Sequence, residues 1–154
     1  MPGQTSDIVI VGAGVAGLVA AYECLERGKS VTIVDRHSAE NVGGLARTAF
    51  GGMALVGTPL QRRMGIKDSA ELAMRDWHSF AEFGDADVWP QRWAEAYVEQ
   101  SAERVFHWLR GKGMSFMPAD NRVERGNFVP GNSLPRYHNL WGPGLGLVEC
   151  FSGL

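Results

Sequence analysis

The hydrophobic pattern is clearest in the first 35 residues. Ile8–Val11 is an unbroken run of four β-branched residues, which is typical of a parallel strand covered on both faces. A helical stretch follows and ends at Gly28, and Ser30–Val34 forms a second apolar run. The pattern therefore predicts a strand, a helix and a second, parallel strand. Four residues of the helix are expected to face the sheet: Val19, Ala20, Cys24 and Leu25.

Downstream of residue 58 the pattern becomes helical. Asp68 or Ser69 can cap a helix that runs to about Phe83, and Pro90 suits the first turn of a longer helix that ends near Gly111. Apolar residues recur along this longer helix at spacings of three to five, which predicts a core-facing stripe. The stripe comprises Trp93, Tyr97, Val98, Ala102, Val105 and Leu109.

Three shorter segments complete the expected elements. Gly57–Gly65 contains Pro59 and several polar residues and is expected to be a loop. Met114–Met117 is a candidate for a short strand, and Leu147–Phe151 has the character of a helix that is beginning.

Composition narrows the class of protein. With 154 residues, 45% of them hydrophobic and 21% charged, the chain has the make-up of an ordinary globular domain. The net charge of −2 gives no reason to expect a nucleic-acid partner, and no apolar run reaches the length of a membrane span. The two cysteines, Cys24 and Cys150, have no pairing pattern, so reduced thiols and a cytoplasmic location are expected.

The glycines after the first strand carry the strongest chemical signal. Gly12, Gly14 and Gly17 form a G-x-G-x-x-G motif between a predicted strand and a predicted helix. The first glycine permits the tight turn, the second lets the backbone approach a pyrophosphate, and the third lets the helix pack on the strand. The helix would direct its N-terminal amides at the phosphates. This order of elements predicts a dinucleotide site.

The acid at the end of the second strand bears on which dinucleotide binds. Asp35 stands where a carboxylate can accept a hydrogen bond from a ribose hydroxyl. It would repel a cofactor with a 2′-phosphate, although the adjacent Arg36 could receive one.

Two glycine pairs follow, Gly43-Gly44 and Gly51-Gly52, and six residues separate them. A nicotinamide-binding Rossmann unit has no need of such pairs, whereas paired glycines let main chain approach a flat or charged ligand. A glycine-rich surface loop is the structural alternative. Two functional alternatives also remain: a nicotinamide-dependent Rossmann reductase and a non-catalytic dinucleotide-binding module.

The βαβ unit that ends on an acid, followed by GG-x6-GGM, resembles the flavoprotein subunits of the fumarate reductase and succinate dehydrogenase superfamily, which includes enzymes similar to 3-ketosteroid Δ1-dehydrogenase. The resemblance implies FAD, with Gly12, Gly14, Val15 and Ala16 at the pyrophosphate and Asp35 on the adenosine ribose. It places Gly44 to Met53 along the rest of the cofactor, with Gly51 and Gly52 near the isoalloxazine. Members that bind flavin covalently carry a histidine after the first glycine pair. Leu45 stands there in this chain, which implies non-covalent FAD.

A Pro-Arg-x-His element before a glycine turn resembles a segment near the flavin in the same superfamily. In some members its histidine contacts substrate, so Arg136 and His138 are candidate substrate-contacting residues. The alternative is that both side chains hold the glycine loop together through hydrogen bonds. The sequence identifies no catalytic acid or base.

The expected fold is α/β: a Rossmann-like start of an FAD-binding domain with a helical arm, as an incomplete domain. Residues 1–58 would be the N-terminal part of the FAD-binding domain and 59–130 its helical arm. Residues 131–154 would be a glycine-rich loop and the start of a helix. Because relatives are several-fold longer, the chain is expected to be an N-terminal fragment. The implied activity of the longer protein is FAD-dependent oxidoreduction at a carbon–carbon bond beside a carbonyl or carboxylate. Its substrate would be small, either steroid-like or an enoyl or dicarboxylate compound, and its electron acceptor is unknown.

Overall fold

The computed structural model describes residues 5–117 and 122–153. The chain divides into two compact units. The first combines residues up to Gly51 with those from Leu140 onward, and the second is the intervening Gly52–Asn139.

The first unit opens with the predicted strand–helix–strand unit. Strand β1 (Ile8–Val11) pairs in parallel with β2 (Val31–Val34), and helix α1 (Val15–Glu26) connects them. The helix ends where Gly28 takes up a φ of 71°, as the sequence indicates. This part of the fold prediction is confirmed.

The face of α1 that packs inward differs from the prediction. Its buried residues are Leu18 and Ala21, whereas Ala20 and Leu25 are exposed. The close approach of Gly17 to the backbone of Gly12 explains the difference, because it sets the rotation of the helix about its axis. Positions one and four residues beyond Gly17 then face inward.

The rest of the first unit is helical. A 3-10 segment (Ala39–Asn41) and a second one (Gly44–Thr48) follow β2, and the predicted C-terminal helix is the last element described. That helix begins four residues earlier than expected, at the proline of a Gly-Pro-Gly turn. An edge-on contact between the rings of Tyr22 and Phe151, with centroids 5.3 Å apart, joins it to α1.

The second unit contains a short antiparallel ladder. Strand β3 (Gly52–Ala54) pairs with a strand near the end of the unit (Tyr137–Asn139), and Met53 lies opposite His138. The strand predicted at Met114–Met117 is wrong. That segment shows a single bridge at Phe116, and its Met117 amide donates one hydrogen bond of 2.8 Å to the carbonyl of Asn139. The later strand, Tyr137–Asn139, is therefore β4.

Two of the helices in this unit begin at side-chain caps. The loop predicted at Gly57–Gly65 contains instead the short helix α2 (Pro59–Arg63), because Thr58 and Gln61 form a reciprocal capping box. The next helix, α3 (Ala70–Ala81), begins at Ser69, whose hydroxyl accepts a hydrogen bond from the amide of Leu72. The prediction of a cap at position 68 or 69 is thus confirmed at Ser69.

The long helix predicted from Pro90 to Gly111 is present with an irregular centre. It comprises α4 (Val88–Ser101), a π-helical segment (Ala102–His107) and α5 (Trp108–Gly111). The wider π turn shifts the buried face, so that Phe106 is buried where the predicted stripe has Val105. Trp93 is also 73% exposed rather than in the core. Helix α6 (Pro143–Ser152) completes the described elements.

Candidate functional site

The glycine turn after β1 gives its three glycines different roles. Gly12 has a φ of 105° and donates its amide to the carbonyl of Val34, which joins the turn to β2. A side chain at Gly17 would overlap the carbonyl oxygen of Gly12, so this glycine is required for packing. Gly14 has extended backbone, with φ −72° and ψ 177°, and no atom lies within 4 Å of the place a Cβ would take. Gly14 therefore leaves open space at the start of α1.

The N-terminus of α1 is suited to an anion. The amides of Gly14, Val15, Ala16 and Gly17 are the four that an α-helix leaves without a partner from its own carbonyls. No side chain caps this end, and no acidic residue stands in the first turn. Helix amides and dipole together favour a phosphate at such an end. The site thus fits the diphosphate of a dinucleotide, both in its donors and in the room above Gly14.

Asp35 interacts with the glycine turn itself. Its Oδ2 accepts the amide of Ala13 at 2.6 Å, and its Oδ1 accepts the amide of His37 at 2.8 Å. These backbone hydrogen bonds lower the pKa of Asp35, with that from Ala13 the larger cause. The exposed Arg36 stands beside it. An ionised carboxylate has lone pairs left for a ribose hydroxyl, so holding the turn and accepting from a sugar are compatible.

The first glycine pair lies directly against this turn. The amide of Gly43 donates to the carbonyl of Ala13 at 2.8 Å, and Gly43 forms a bridge with Gly14. A Cβ at Gly44 would lie 3.6 Å from the Cα of Gly14. Leu45, just beyond, is 90% exposed. The structure therefore brings together two glycine motifs that lie 29 positions apart in the sequence.

Helix α6 explains why residues 43 and 51 are glycines. A Cβ on Gly43, whose φ is 110°, would collide with the methyl groups of Val148. One on Gly51, whose φ is 78°, would lie 2.9 Å from the carbonyl carbon of Pro143. Gly144, in the first turn of α6, donates its amide to the carbonyl of Ala49 at 2.8 Å. These contacts with α6 were not foreseen from the sequence.

Gly52 and Met53 belong to the second unit. A side chain on Gly52 would overlap the ring of Tyr137, so packing within the β3–β4 ladder already requires a glycine there. Met53 is half-buried and lies opposite His138. Their proximity to a flavin remains a prediction.

Arg136 is buried in a cluster of acids. Its Nε and Nη2 donate to the two oxygens of Asp68 at 2.9 and 2.8 Å, and its Nη1 donates to Asp76 at 2.6 Å and to Asn132 at 2.8 Å. Burial would lower the pKa of Arg136, but the two carboxylates outweigh it and raise that pKa. Burial likewise would raise the pKa of Asp76, but hydrogen bonds from Ser133 and Arg136 lower it. Four of the five guanidinium hydrogens are thus committed to protein acceptors.

His138 is completely buried and also has protein partners. Its Nδ1 lies 2.7 Å from the carbonyl of Arg136 and its Nε2 lies 2.8 Å from the hydroxyl of Thr58. A carbonyl can only accept, so Nδ1 carries the hydrogen and Nε2 accepts from the threonine in the neutral ring. Phe106 and Phe116 pack edge-on against the imidazole. Burial accordingly lowers the pKa of His138.

These contacts form one polar network around β4. Thr58 and Gln61 are joined by the capping box, and Gln61 donates to Asp68 at 2.9 Å. The network thereby runs from His138 to Arg136. The sequence singled out its two ends as substrate contacts, and it indicated Asp68 only as a possible helix cap and Asp76 not at all. The burial of Arg136 would have pointed to acidic partners, but its burial cannot be read from the sequence.

Within the described residues no cluster of histidine, cysteine or acidic side chains could hold a metal ion. Over the same residues, no helix combines the length and the apolarity needed to cross a bilayer.

Comparison with known proteins identifies the family. The family described as FAD binding domain matches residues 7–141. The chain belongs to this family. The resemblance to the flavoprotein superfamily and the expectation of FAD are thereby confirmed, and so is the α/β, Rossmann-like fold class. The nicotinamide alternative is also disfavoured by the structure, because residues 36–51 hold two 3-10 segments in place of an early third strand.

Individual relatives agree with this assignment. A KsdD-like steroid dehydrogenase of Mycolicibacterium smegmatis is 49% identical over 151 residues, which cover 96% of this chain and 28% of the relative. A 3-oxosteroid 1-dehydrogenase of the same species is 31% identical, covering 68% of the chain and 17% of the relative. The open conformation of a flavocytochrome c3 fumarate reductase matches 99% of the chain and 25% of its own, with a TM-score of 0.74 at 28% identity. The chain thus spans about a quarter of the length of such proteins.

Proposed function

We propose that the protein to which this chain belongs is an FAD-dependent oxidoreductase acting on a carbon–carbon bond beside a carbonyl, with a steroid-like small molecule as substrate. The named dehydrogenase relatives support the reaction class and the substrate class. The chain itself would supply part of the FAD site. When bound, FAD supplies the hydride chemistry, and the protein supplies orientation and electrostatics.

The first unit would hold the diphosphate and the adenosine. Gly12, Gly14, Val15 and Ala16 would receive the diphosphate on backbone amides at the uncapped end of α1. Asp35 would accept a ribose hydroxyl while it holds the glycine turn through Ala13. Its lowered pKa keeps the carboxylate in the accepting form across the neutral range.

The glycine pairs would line the remainder of the cofactor. Gly43 and Gly44 lie against the turn, and Leu45 is exposed just beyond them. A leucine has no nucleophilic atom for a bond to the flavin, which supports non-covalent FAD. Gly51 in the first unit, and Gly52 and Met53 in the second, would lie near the isoalloxazine.

We further propose that Arg136 and His138 position β4 rather than contact substrate. Substrate contact would require each side chain to give up its buried protein partners. Each buried polar group left without a partner would destabilise the protein by about 1–3 kcal/mol. Because Met53 lies opposite His138 in the ladder, the network would act on the cofactor site through β3.

The observation that carries the FAD proposal is the uncapped start of α1 beneath the open space at Gly14. We expect Gly14→Val to abolish FAD binding and leave the fold intact, because the extended backbone at residue 14 suits valine and no atom within 4 Å would collide with its Cβ. Binding would be followed by the quenching of flavin fluorescence, and the fold by circular dichroism.

Gly111→Val is the matched control. Gly111 also has nothing within 4 Å of its Cβ position, but it ends α5 in the second unit. Undiminished FAD binding by a folded Gly14→Val variant would contradict the assignment of the diphosphate to this turn. The absorption spectrum of bound ligand separates FAD from an adenine nucleotide, which a non-catalytic nucleotide module would hold.

A further inference from the structure

The second unit contains a cavity of about 560 Å³, and every residue that lines it belongs to that unit. Its inner wall is formed by the buried core residues Val56, Ala73 and Val98. Trp77 and Phe80 also line it and are 37% and 56% exposed, so the cavity opens to solvent. Sites for small molecules have volumes of roughly 300–1,000 Å³ and mostly apolar walls. The cavity thus has the size and the accessibility of a ligand site.

Aromatic rings form one side of this cavity. Trp77 on α3 and Tyr97 on α4 meet edge-on, with ring centroids 5.9 Å apart, and Phe80 follows Trp77 on α3. Tryptophan, tyrosine and phenylalanine offer large apolar surfaces. These walls suit an apolar ring system better than a sugar or a phosphate.

The charged residues that line the cavity balance one another. Asp76 is paired with Arg136 at 2.6 Å, and the exposed Glu124 is followed directly by Arg125. A charged ligand would have to leave water without an unpaired countercharge to receive it, which is unfavourable. The lining therefore favours a neutral ligand.

The hydroxyl of Tyr97 is a donor that the described residues leave unused. The half-buried side chain makes its ring contact with Trp77, but within the described part of the chain its hydroxyl forms no hydrogen bond. Burial raises the pKa of Tyr97, so the phenol stays protonated at neutral pH. Tyrosine hydroxyls that are withdrawn from water usually find a partner. A carbonyl or hydroxyl oxygen of a ligand would supply the acceptor.

We infer that this cavity binds a neutral, apolar ring molecule that carries a carbonyl or hydroxyl oxygen. Its rings lie against Trp77 and Phe80, and its oxygen accepts a hydrogen bond from Tyr97. A steroid nucleus with an oxygen substituent has this form. The steroid-like class of the ligand rests on the proposed function, whereas the cavity and its residues belong to the second unit alone.

Two probes test the cavity by equilibrium dialysis against the whole chain. Progesterone is a steroid with carbonyl oxygens, and phenanthrene is a flat hydrocarbon with none. We expect Tyr97→Phe to bind progesterone about 3- to 10-fold more weakly than the wild type, the size of one net hydrogen bond, and to bind phenanthrene equally well. Tyr22→Phe removes a tyrosine hydroxyl in the first unit and should change neither affinity.

A second substitution tests the aromatic wall. Trp77→Ala should weaken the binding of both probes about 10-fold or more, because both bury apolar surface against that ring. The control is Trp93→Ala, since Trp93 is 73% exposed on α4 and does not line the cavity. Circular dichroism shows whether each variant is folded, and Trp77→Leu replaces the alanine variant if that one is not.

Unchanged progesterone affinity in Tyr97→Phe would refute the hydrogen bond. Unchanged affinity for both probes in the folded Trp77 variant, or an equal loss in Trp93→Ala, would refute the cavity as their site. FAD binding by the same proteins, followed by flavin fluorescence, separates the two proposals, because neither Tyr97 nor Trp77 is among the residues assigned to the cofactor. A wild-type chain that binds FAD but no progesterone would refute the cavity and leave the FAD site standing. The converse result would refute the FAD site alone.

Discussion

The buried arginine and an exposed arginine of the same chain offer a direct test of the polar network. Arg136→Met would remove a guanidinium whose side chain is 4% exposed and leave the carboxylates of Asp68 and Asp76, with side chains 0% and 9% exposed. Removing one partner of a buried ion pair destabilises a protein by about 3–5 kcal/mol. Both acids retain other donors, Gln61 for Asp68 and Ser133 for Asp76, so we expect the lower end, about 3 kcal/mol.

The control is Arg27→Met. Arg27 pairs with Glu23 one helical turn away at 2.6 Å, but the two side chains are 67% and 35% exposed. Exposed pairs of this kind contribute little to stability, because water screens the two charges, so we expect a much smaller loss than in Arg136→Met. Urea unfolding followed by circular dichroism reports on both units, because each of them contains helices. A loss of less than about 1 kcal/mol in Arg136→Met would refute the positioning role and return Arg136 to the substrate-contact hypothesis.

Two further predictions concern the glycine turn and the buried histidine. Gly17→Ala should destabilise the protein by about 1–3 kcal/mol in urea unfolding, because the added methyl overlaps the carbonyl of Gly12, whereas Gly111→Ala should be nearly neutral. Equal effects of the two substitutions would contradict the packing role of Gly17. Burial holds the pKa of His138 in the folded protein below its usual 6.5. As the pH drops below 6.5, this histidine therefore takes up its proton in the unfolded chain before it does so in the folded protein. The free energy of unfolding consequently falls. His138→Gln should remove that part of the slope between pH 6.5 and 5, and an unchanged slope would show that His138 is not its source.

The first 35 residues were predictable because their determinants are local. The apolar runs and the glycines of the βαβ unit act on neighbours in sequence, and the structure places every element where the pattern indicates it. The rotation of α1 was not predictable from its own pattern. It depends on the approach of Gly17 to Gly12, a contact that only three-dimensional packing fixes.

Elements that depend on distant partners were harder to predict. The segment expected to form a strand at Met114–Met117 has, within the described residues, a bridge at Phe116 and a hydrogen bond from the amide of Met117 to the carbonyl of Asn139. The π turn in the long helix changes the phase of its buried face, which a constant helical period cannot represent. Arginine and histidine are residue types that can bind an anion. In the structure, however, the guanidinium of Arg136 donates to Asp68 and Asp76, which precede it in the chain by 68 and 60 positions.

The packing of Val148 against Gly43 has a consequence for how the chain is made. The ribosome delivers roughly 100 residues between these two positions, which at about 5–20 residues per second takes on the order of 5–20 s. During that interval Gly43, which lies against the glycine turn, lacks its neighbour Val148 in α6. The whole of the second unit is synthesised before the first unit is complete. A nascent chain of this protein therefore passes through a stage in which its most recognisable motif is already synthesised but still incomplete.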